Sequence, residues 1–301
     1  MKSYPTRPIR LITPAPPGGS TDLLARLIGP RLAEALKGAI VIDNRGGAGG
    51  VVAAELTARA APDGYTLLMA YSAHTTNVSL NPKANYRAVD DYQPITQVTS
   101  APLVLVVNPQ VMPVNSVEEM FAYGKANPAK MNFGSAGNGS GAHMAIELLK
   151  YMTGAKVQHI PYKGMGPAVI DLLGGQVPAM FAGIVPIQPQ LRAGRVRAIA
   201  VTSARRAPAL PQLPTIAESG VPGYEVTVWY GVCAPTATPQ PILTKLNADI
   251  IKALNMPDLR QRLADNGVDA APMSREEYAA FISSEMKKWA KVIKDAGIQP
   301  E

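Results

Sequence analysis

The sequence predicts an α/β protein with a parallel sheet and helices on both of its faces. Three observations carry that reading. Short apolar runs that read as buried strands, such as Ile9–Ile12 and Tyr65–Ala70, alternate with longer stretches of helical period. Two of the strands run into glycine-rich turns that open helices, Pro14–Asp22 and Gly134–Gly141. A chain of 301 residues, 47 % of them apolar, is long for one hydrophobic core, so two domains are expected.

In chain order, Ile9–Ile12 is a strand and Leu23–Leu36 a helix with apolar residues on one face. Ala39–Asp43 is a short strand, Asn44–Gly50 a loop rich enough in glycine to run close to something, and Val51–Ala60 a helix. Tyr65–Ala70 is a buried strand that ends in Tyr71–Thr76. Pro94–Val98 and Leu103–Val107 read as two strands broken by Ser100-Ala101-Pro102. Ser116-Val117-Glu118-Glu119 is a capping box that starts a helix ending near Asn127-Pro128. The strand–glycine–helix pattern then repeats: Met131–Gly134 leads into a helix from Ala142 to Tyr151, and Val157–Ile160 into a turn and a helix ending at Leu173. Met180–Gly183 and Arg197–Val201 are strands, Pro208–Pro222 is a proline-rich surface stretch, and Glu225–Ala234 is a long strand. The remainder is helical: Pro241–Leu254, Asp258–Asn266 and Arg275–Ala296.

The two glycine turns suggest an anion. Each leaves unpaired backbone N–H groups at a helix N-terminus, where the helix dipole favours negative charge. Ligands of such sheets bind beyond the C-terminal ends of the strands, which is where Pro14–Asp22 and Tyr71–Thr76 fall. The second turn has GxGxxG-like spacing but neither the lysine of a P-loop nor a matching ribose carboxylate. That argues against the rival class, a phosphate- or nucleotide-handling enzyme.

Other classes are excluded on composition. The net charge of +7 is spread in short clusters such as Arg192-Arg195-Arg197, without aromatic interleaving, so no nucleic-acid partner is expected. No apolar run reaches the roughly 18 residues of a membrane span, and Met1–Pro5 lacks the apolar core of a signal peptide. The single cysteine, Cys233, lies in an apolar run and reads as a buried small hydrophobe. Three histidines and one cysteine show no metal spacing, so neither metal nor cofactor is expected. Ser135 or Ser140 beside His143 has the look of a nucleophile and base. A serine at a helix N-terminus is expected to cap backbone N–H groups, no GxSxG elbow is present, and the chain reads as a non-enzyme.

Taken together, YPTRPIRLITPAPPGGSTDLLAR, NRGGAGG, PDGYTLL, GSAGNGSGAH, HIPYKGMGPAVIDLLGGQV, LRAGRVRAIAVTSARRAPALPQLPTIAESGVPGY and WYGVCAPTATP resemble the tripartite tricarboxylate transporter substrate-binding receptors, or Bug receptors. The resemblance covers nearly the whole chain in order. It implies a type II periplasmic-binding-protein fold: lobe 1 from residues 1–101 plus 227–301, lobe 2 from 102–226, two crossing strands, and a cleft that closes on ligand. It also implies a mature periplasmic protein, a carboxylate ligand, a monomer, and transient delivery to membrane transporter subunits. A sensory receptor for a membrane kinase is the alternative within binding proteins.

Carried over residue by residue, the resemblance implies ligand contacts from Pro17, Gly18, Gly19, Ser20 and Thr21, joined by Ala70, Tyr71 and Ser72. On the other lobe it implies Ser135, Ala136, Gly139 and Ser140. Two departures bear on the ligand. Ala15 stands where the family commonly has Phe or Tyr, and Gly183 where amino-acid binders often have an acid. They argue against an amino acid or a four-carbon acid such as malate. They favour a bulkier mono- or dicarboxylate, aromatic acids such as terephthalate included.

Further candidates come from position. His74 follows the strand ending at Ala70 and is a candidate to line the cleft; His143, one turn inside the second helix, is a candidate ligand donor. Either would make affinity pH-dependent if it titrated near neutrality. Trp229, on the second crossing strand, is a candidate cleft wall, whereas Asp22 reads as a helix cap and His159 as structural.

Overall fold

The computed structural model describes residues 4–15, 17, 20–81, 83–162 and 164–298. The elements run β1 (Ile9–Thr13), α1 (Ser20–Leu36), β2 (Ile40–Asn44), α2 (Val51–Ala58), β3 (Thr66–Tyr71), α3 (Ala73–Leu80) and β4 (Tyr92–Val107). They continue with α4 (Val117–Ala126), β5 (Asn132–Ser135), α5 (Gly141–Thr153), β6 (Gln158–Pro161), α6 (Met165–Leu173), β7 (Ala179–Gly183), α7 (Ile184–Arg192) and β8 (Arg197–Val201). The chain closes with β9 (Thr227–Pro235), α8 (Gln240–Leu254), α9 (Pro257–Asp265), β10 (Asp269–Ala270) and α10 (Arg275–Asp295).

The described chain divides into two units. The first holds the residues up to Ser100 together with Trp229–Lys291; the second holds Ala101–Val228 and Val292–Ile298. The end of α10 therefore groups with the second unit, where Asp295 accepts a hydrogen bond from the Tyr151 hydroxyl at 3.1 Å.

In the first unit the strand order is β2-β1-β3-β9-β4, with β10 pairing β4. Strand β1 runs parallel to β2 and β3, while β9 lies antiparallel to β3 with Ala70 opposite Gly231. Alternate residues of the central strands feed opposite faces. Leu67, Met69, Val232 and Ala234 pack with Ile28 and Leu32 of α1, Leu246 and Ile250 of α8, and Leu259 of α9. Leu68, Ala70 and Cys233 pack on the other face with Ala53 and Ala54 of α2, Trp229, and Tyr278 and Ile282 of α10. Cys233 is the buried hydrophobe expected, and burial pushes its thiol up to about 12.

The second unit repeats the plan as β6-β5-β7-β4-β8. Strand β5 is parallel to β6 and β7, and β4 is antiparallel to β7. Val104, Val106, Met180 and Ala182 of the sheet meet Ala168 and Leu172 of α6 and Ile184 and Ile187 of α7 in one core.

Three local expectations need correction. Strand β4 runs unbroken through Ser100-Ala101-Pro102. It pairs with β10 up to Ser100 and with β7 and β8 from Leu103 and Val104. Pro102 thus falls where the ladder changes partners, and its missing N–H is tolerated there. Residues 73–80 form a helix rather than a loose strand end; 184–192, unassigned from the sequence, also form a helix, with Pro186 and Pro189 inside it. The stretch 208–222 is not wholly at the surface: Thr215 and Ile216 are buried, and Thr215 bridges to Val201. The cap at Ser274 is reciprocal, Glu277 N donating to Ser274 Oγ at 3.2 Å and Ser274 N to Glu277 Oε2 at 2.8 Å.

Candidate functional site

The first unit presents the β1–α1 turn. Gly18 and Gly19 lie outside the described residues, as does the side chain of Ser20. Pro17 is exposed and Ala15 half-buried. Thr21 stands in the first turn of a 17-residue helix, is 3 % exposed, and its Oγ1 has no hydrogen-bond partner among the described residues. A buried hydroxyl left without a partner costs roughly 1–3 kcal/mol.

The turn is held from β2. Asn44 Nδ2 reaches Thr13 Oγ1 at 2.8 Å, the Ala15 carbonyl at 3.1 Å and Asp22 Oδ1 at 2.9 Å. Asp22 is fully engaged, since Arg26 Nε donates to its other oxygen at 3.0 Å. Its negative charge sits in the first turn of α1, where the dipole favours it. Asn44 was the residue that the sequence reading missed. It stands at the C-terminal end of a parallel strand, the position where such sheets place ligand-facing groups, but in NRGGAGG only the glycines drew notice.

The next loop packs beside it. The Tyr71 hydroxyl and Asn77 Nδ2 both donate to the Gly49 carbonyl, at 2.6 and 2.7 Å. Gly50, at φ 96°, lets the backbone pass where a Cβ would meet Pro14 Cβ and the Tyr71 ring at 3.0 Å. Pro14, Gly50, Ala70, Tyr71, His74 and Asn77 bound a small cavity inside this unit. Ala70 is buried, and Ser72 Oγ accepts the Trp229 N–H at 3.1 Å.

Two further candidates are buried here. His74 Nε2 is 3.1 Å from the Ala88 carbonyl, and its ring stacks on Tyr86 with Tyr92 edge-on. Burial pulls it down to about 4. Trp229 is fully buried, edge-on to Tyr278 and Phe281, in the core of this unit.

The second unit presents the β5–α5 turn. Ser140 is the N-cap of α5, its Oγ accepting the His143 N–H at 3.2 Å. Ser135 is fully buried; its Oγ accepts the Gly137 N–H at 3.0 Å and lies 2.6 Å from His159 Nε2. Both serine oxygens accept a backbone N–H of the turn and so help to shape it. Ala136 is half-buried, and its carbonyl accepts the Gly164 N–H at 3.1 Å. Gly139 is buried and donates its N–H to His143 Nδ1 at 3.0 Å. His143 thereby holds the turn through its Nδ1. Burial, with the Lys150 charge second, takes it down to about 4, which removes titration near neutrality. Gly183 forms the N-cap of α7, with Pro186 3.6 Å from where a Cβ would sit.

Each unit thus offers a helix N-terminus behind a turn fixed by buried side chains. Such a feature binds anions by backbone N–H groups and supplies no nucleophile or acid–base pair. Among the described residues no cluster of His, Cys, Asp or Glu is placed to hold a metal ion, and no helix is long and apolar enough to cross a membrane.

Comparison with known proteins agrees in kind. The family model of the tripartite tricarboxylate transporter family receptor matches residues 24–298. Protein BugT of Bordetella pertussis is 39 % identical over 297 residues, 98 % of this chain and 91 % of the relative. Among solved structures, R. palustris Rpa4515 with adipate is 37 % identical with a TM-score of 0.88, covering 99 % of this chain and all of that one. MatC from Rhodopseudomonas palustris, with bound malate, is 36 % identical with a TM-score of 0.83 over 96 % of this chain and 100 % of that one. BugD, another neighbour at 34 % identity, is a periplasmic binding protein. These are binding receptors and not enzymes, and their fold is the one described above. The chain belongs to the tripartite tricarboxylate transporter receptor family.

Proposed function

We propose that the chain is a periplasmic receptor that captures a dicarboxylate between its two glycine turns, closes on it, and hands it to a membrane permease. The observation that carries the reading is Thr21: a buried hydroxyl in the first turn of α1 with no hydrogen-bond partner among the described residues. Relatives of nearly equal identity hold adipate and malate, so identity does not choose the acid. Ala15 does bear on the choice. The space beside an alanine suits an acid longer than malate, of adipate length or aromatic like terephthalate. One helix N-terminus contributes up to about 2 kcal/mol toward a partly buried carboxylate, and each charge-assisted hydrogen bond roughly 1.5–3 kcal/mol. A few such contacts reach the approximately −8 kcal/mol of a micromolar complex. The ligand then shifts the receptor toward its closed form in proportion to its preference for that form.

The test is Thr21→Val, which removes the hydroxyl and keeps the shape. Calorimetry is expected to show about tenfold or greater loss of dicarboxylate affinity, with a melting temperature equal to or above that of the wild type, because Oγ1 makes no bond that the fold needs. Unchanged affinity would remove Thr21 from the site.

A further inference from the structure

Two of the three histidines in the chain meet in the second unit. The rings of His143, on α5, and His159, on β6, stack with centroids 4.0 Å apart and planes 13° apart. Each ring is tied to the β5–α5 turn: His143 Nδ1 to Gly139 N, and His159 Nε2 to Ser135 Oγ. The same turn is the proposed grip of the second unit. We propose that His143 and His159 are positioning residues for that grip: a stacked imidazole pair that holds the turn through Gly139 and Ser135 and lets it go when His143 takes a proton. The inference rests on the carboxylate-binding reading for its consequence, but not for its mechanism.

The protonation state follows from the donor. A backbone N–H only donates, so His143 Nδ1 must present its lone pair to Gly139. The ring is therefore neutral, with its proton on Nε2. A second proton would sit on Nδ1, directly against the Gly139 N–H. The bond would be lost and two donors would face each other, while the new charge would lie against the His159 ring.

The groups around His143 oppose that proton. On its own helix, Glu147 Oε1 is 3.8 Å from Nε2, beyond hydrogen-bond reach, and its charge is held by Lys150 at 2.8 Å. From β6 comes His159, and from β5 the Ser135 hydroxyl, neither supplying a negative charge. The Tyr224 hydroxyl, which also packs on α5, donates to the Ala145 carbonyl. Burial dominates, and the nearby lysine adds to it.

The sign of the pH effect is set by this depression. The formed turn keeps His143 neutral down to about pH 4, whereas an opened turn frees it to bind a proton below its ordinary value of about 6.5. In that window the opened form holds the extra proton, so the formed turn weakens as pH falls. Above about pH 6.5 the effect is absent.

The experiment uses the full 15N-labelled protein and three variants. His143→Asn keeps an acceptor near the Nδ1 position but does not titrate, His143→Ala removes it, and His159→Gln keeps a polar group near Nε2. Without ligand, the hydrogen-exchange protection of the Gly139 amide in the wild type is expected to fall by up to tenfold per pH unit between pH 6.5 and 4, relative to the same amide in His143→Asn. That comparison removes the acid effects that the two proteins share, such as those from His74. At pH 7, His143→Ala is expected to lose tenfold or more in adipate affinity, and His143→Asn and His159→Gln to stay within about threefold of the wild type. The same Gly139 slope in the wild type and in His143→Asn overturns the proposal. So does full adipate affinity in His143→Ala. If adipate, malate and terephthalate all fail to bind the wild type, the carboxylate reading falls, and the exchange profile still decides the histidine pair.

Discussion

Asn44→Ala is expected to weaken dicarboxylate binding by at least about tenfold and to lower stability by roughly 2–4 kcal/mol. One amide nitrogen serves three acceptors, the Thr13 hydroxyl, the Ala15 carbonyl and the buried Asp22 carboxylate. Its removal leaves the carboxylate with Arg26 as its remaining partner among these contacts and frees both sides of the first turn. Removing one partner of a buried charge is costly because the charge stays behind. Asn44→Asp is expected to be worse still, since it sets a second carboxylate against Asp22. Denaturant unfolding with calorimetry checks both. An Asn44→Ala protein that unfolds and binds like the wild type would show that the turn holds its shape unaided.

The second large effect is expected at Gly231. It lies in the middle of β9, opposite Ala70. A Cβ there would fall inside the envelope of the Tyr278 hydroxyl and 3.0 Å from the Thr96 carbonyl oxygen. Tyr278 is fully buried in a core with Trp229 and Cys233, so it has little room to retreat. Gly231→Ala is expected to cost about 3 kcal/mol or more, a fall in Tm of roughly 6–12 °C. Adding Tyr278→Leu is expected to recover part of the loss. A single variant that melts within about 2 °C of the wild type would contradict the packing described.

What was legible in the sequence follows from how each element is stabilised. Strands β1 and β3 are covered on both faces, so Ile9–Ile12 and Tyr65–Ala70 read directly as apolar runs. Helices α1, α8 and α10 bury one face and read by period. Helix α3 did not, because His74, Thr75, Thr76 and Asn77 are all buried and leave no apolar stripe. Helix α7 did not, because it is short and interrupted by Pro186 and Pro189, although Pro186 lies in its first turn, where a missing N–H costs nothing.

The glycine turns were legible because their signal is local, a run of glycines between a strand and a helix. The side chains that hold them were not. Asn44 acts on residues 22 to 31 positions away, and His159 acts on Ser135 from 24 positions away, through strands whose adjacency is a matter of topology. Ser135, Ser140 and His143 each accept a backbone N–H of the β5–α5 turn, a role that their spacing in the sequence does not show.

The central claim is that the chain binds a dicarboxylate larger than malate. Calorimetry of the wild type at pH 7 with malate, adipate and terephthalate, alongside inorganic phosphate and a nucleotide, tests it most directly. The account predicts micromolar binding of adipate or terephthalate, weaker binding of malate, and loss of the larger acid in Ala15→Phe. Binding of phosphate or nucleotide with no response to any of the three acids would contradict it.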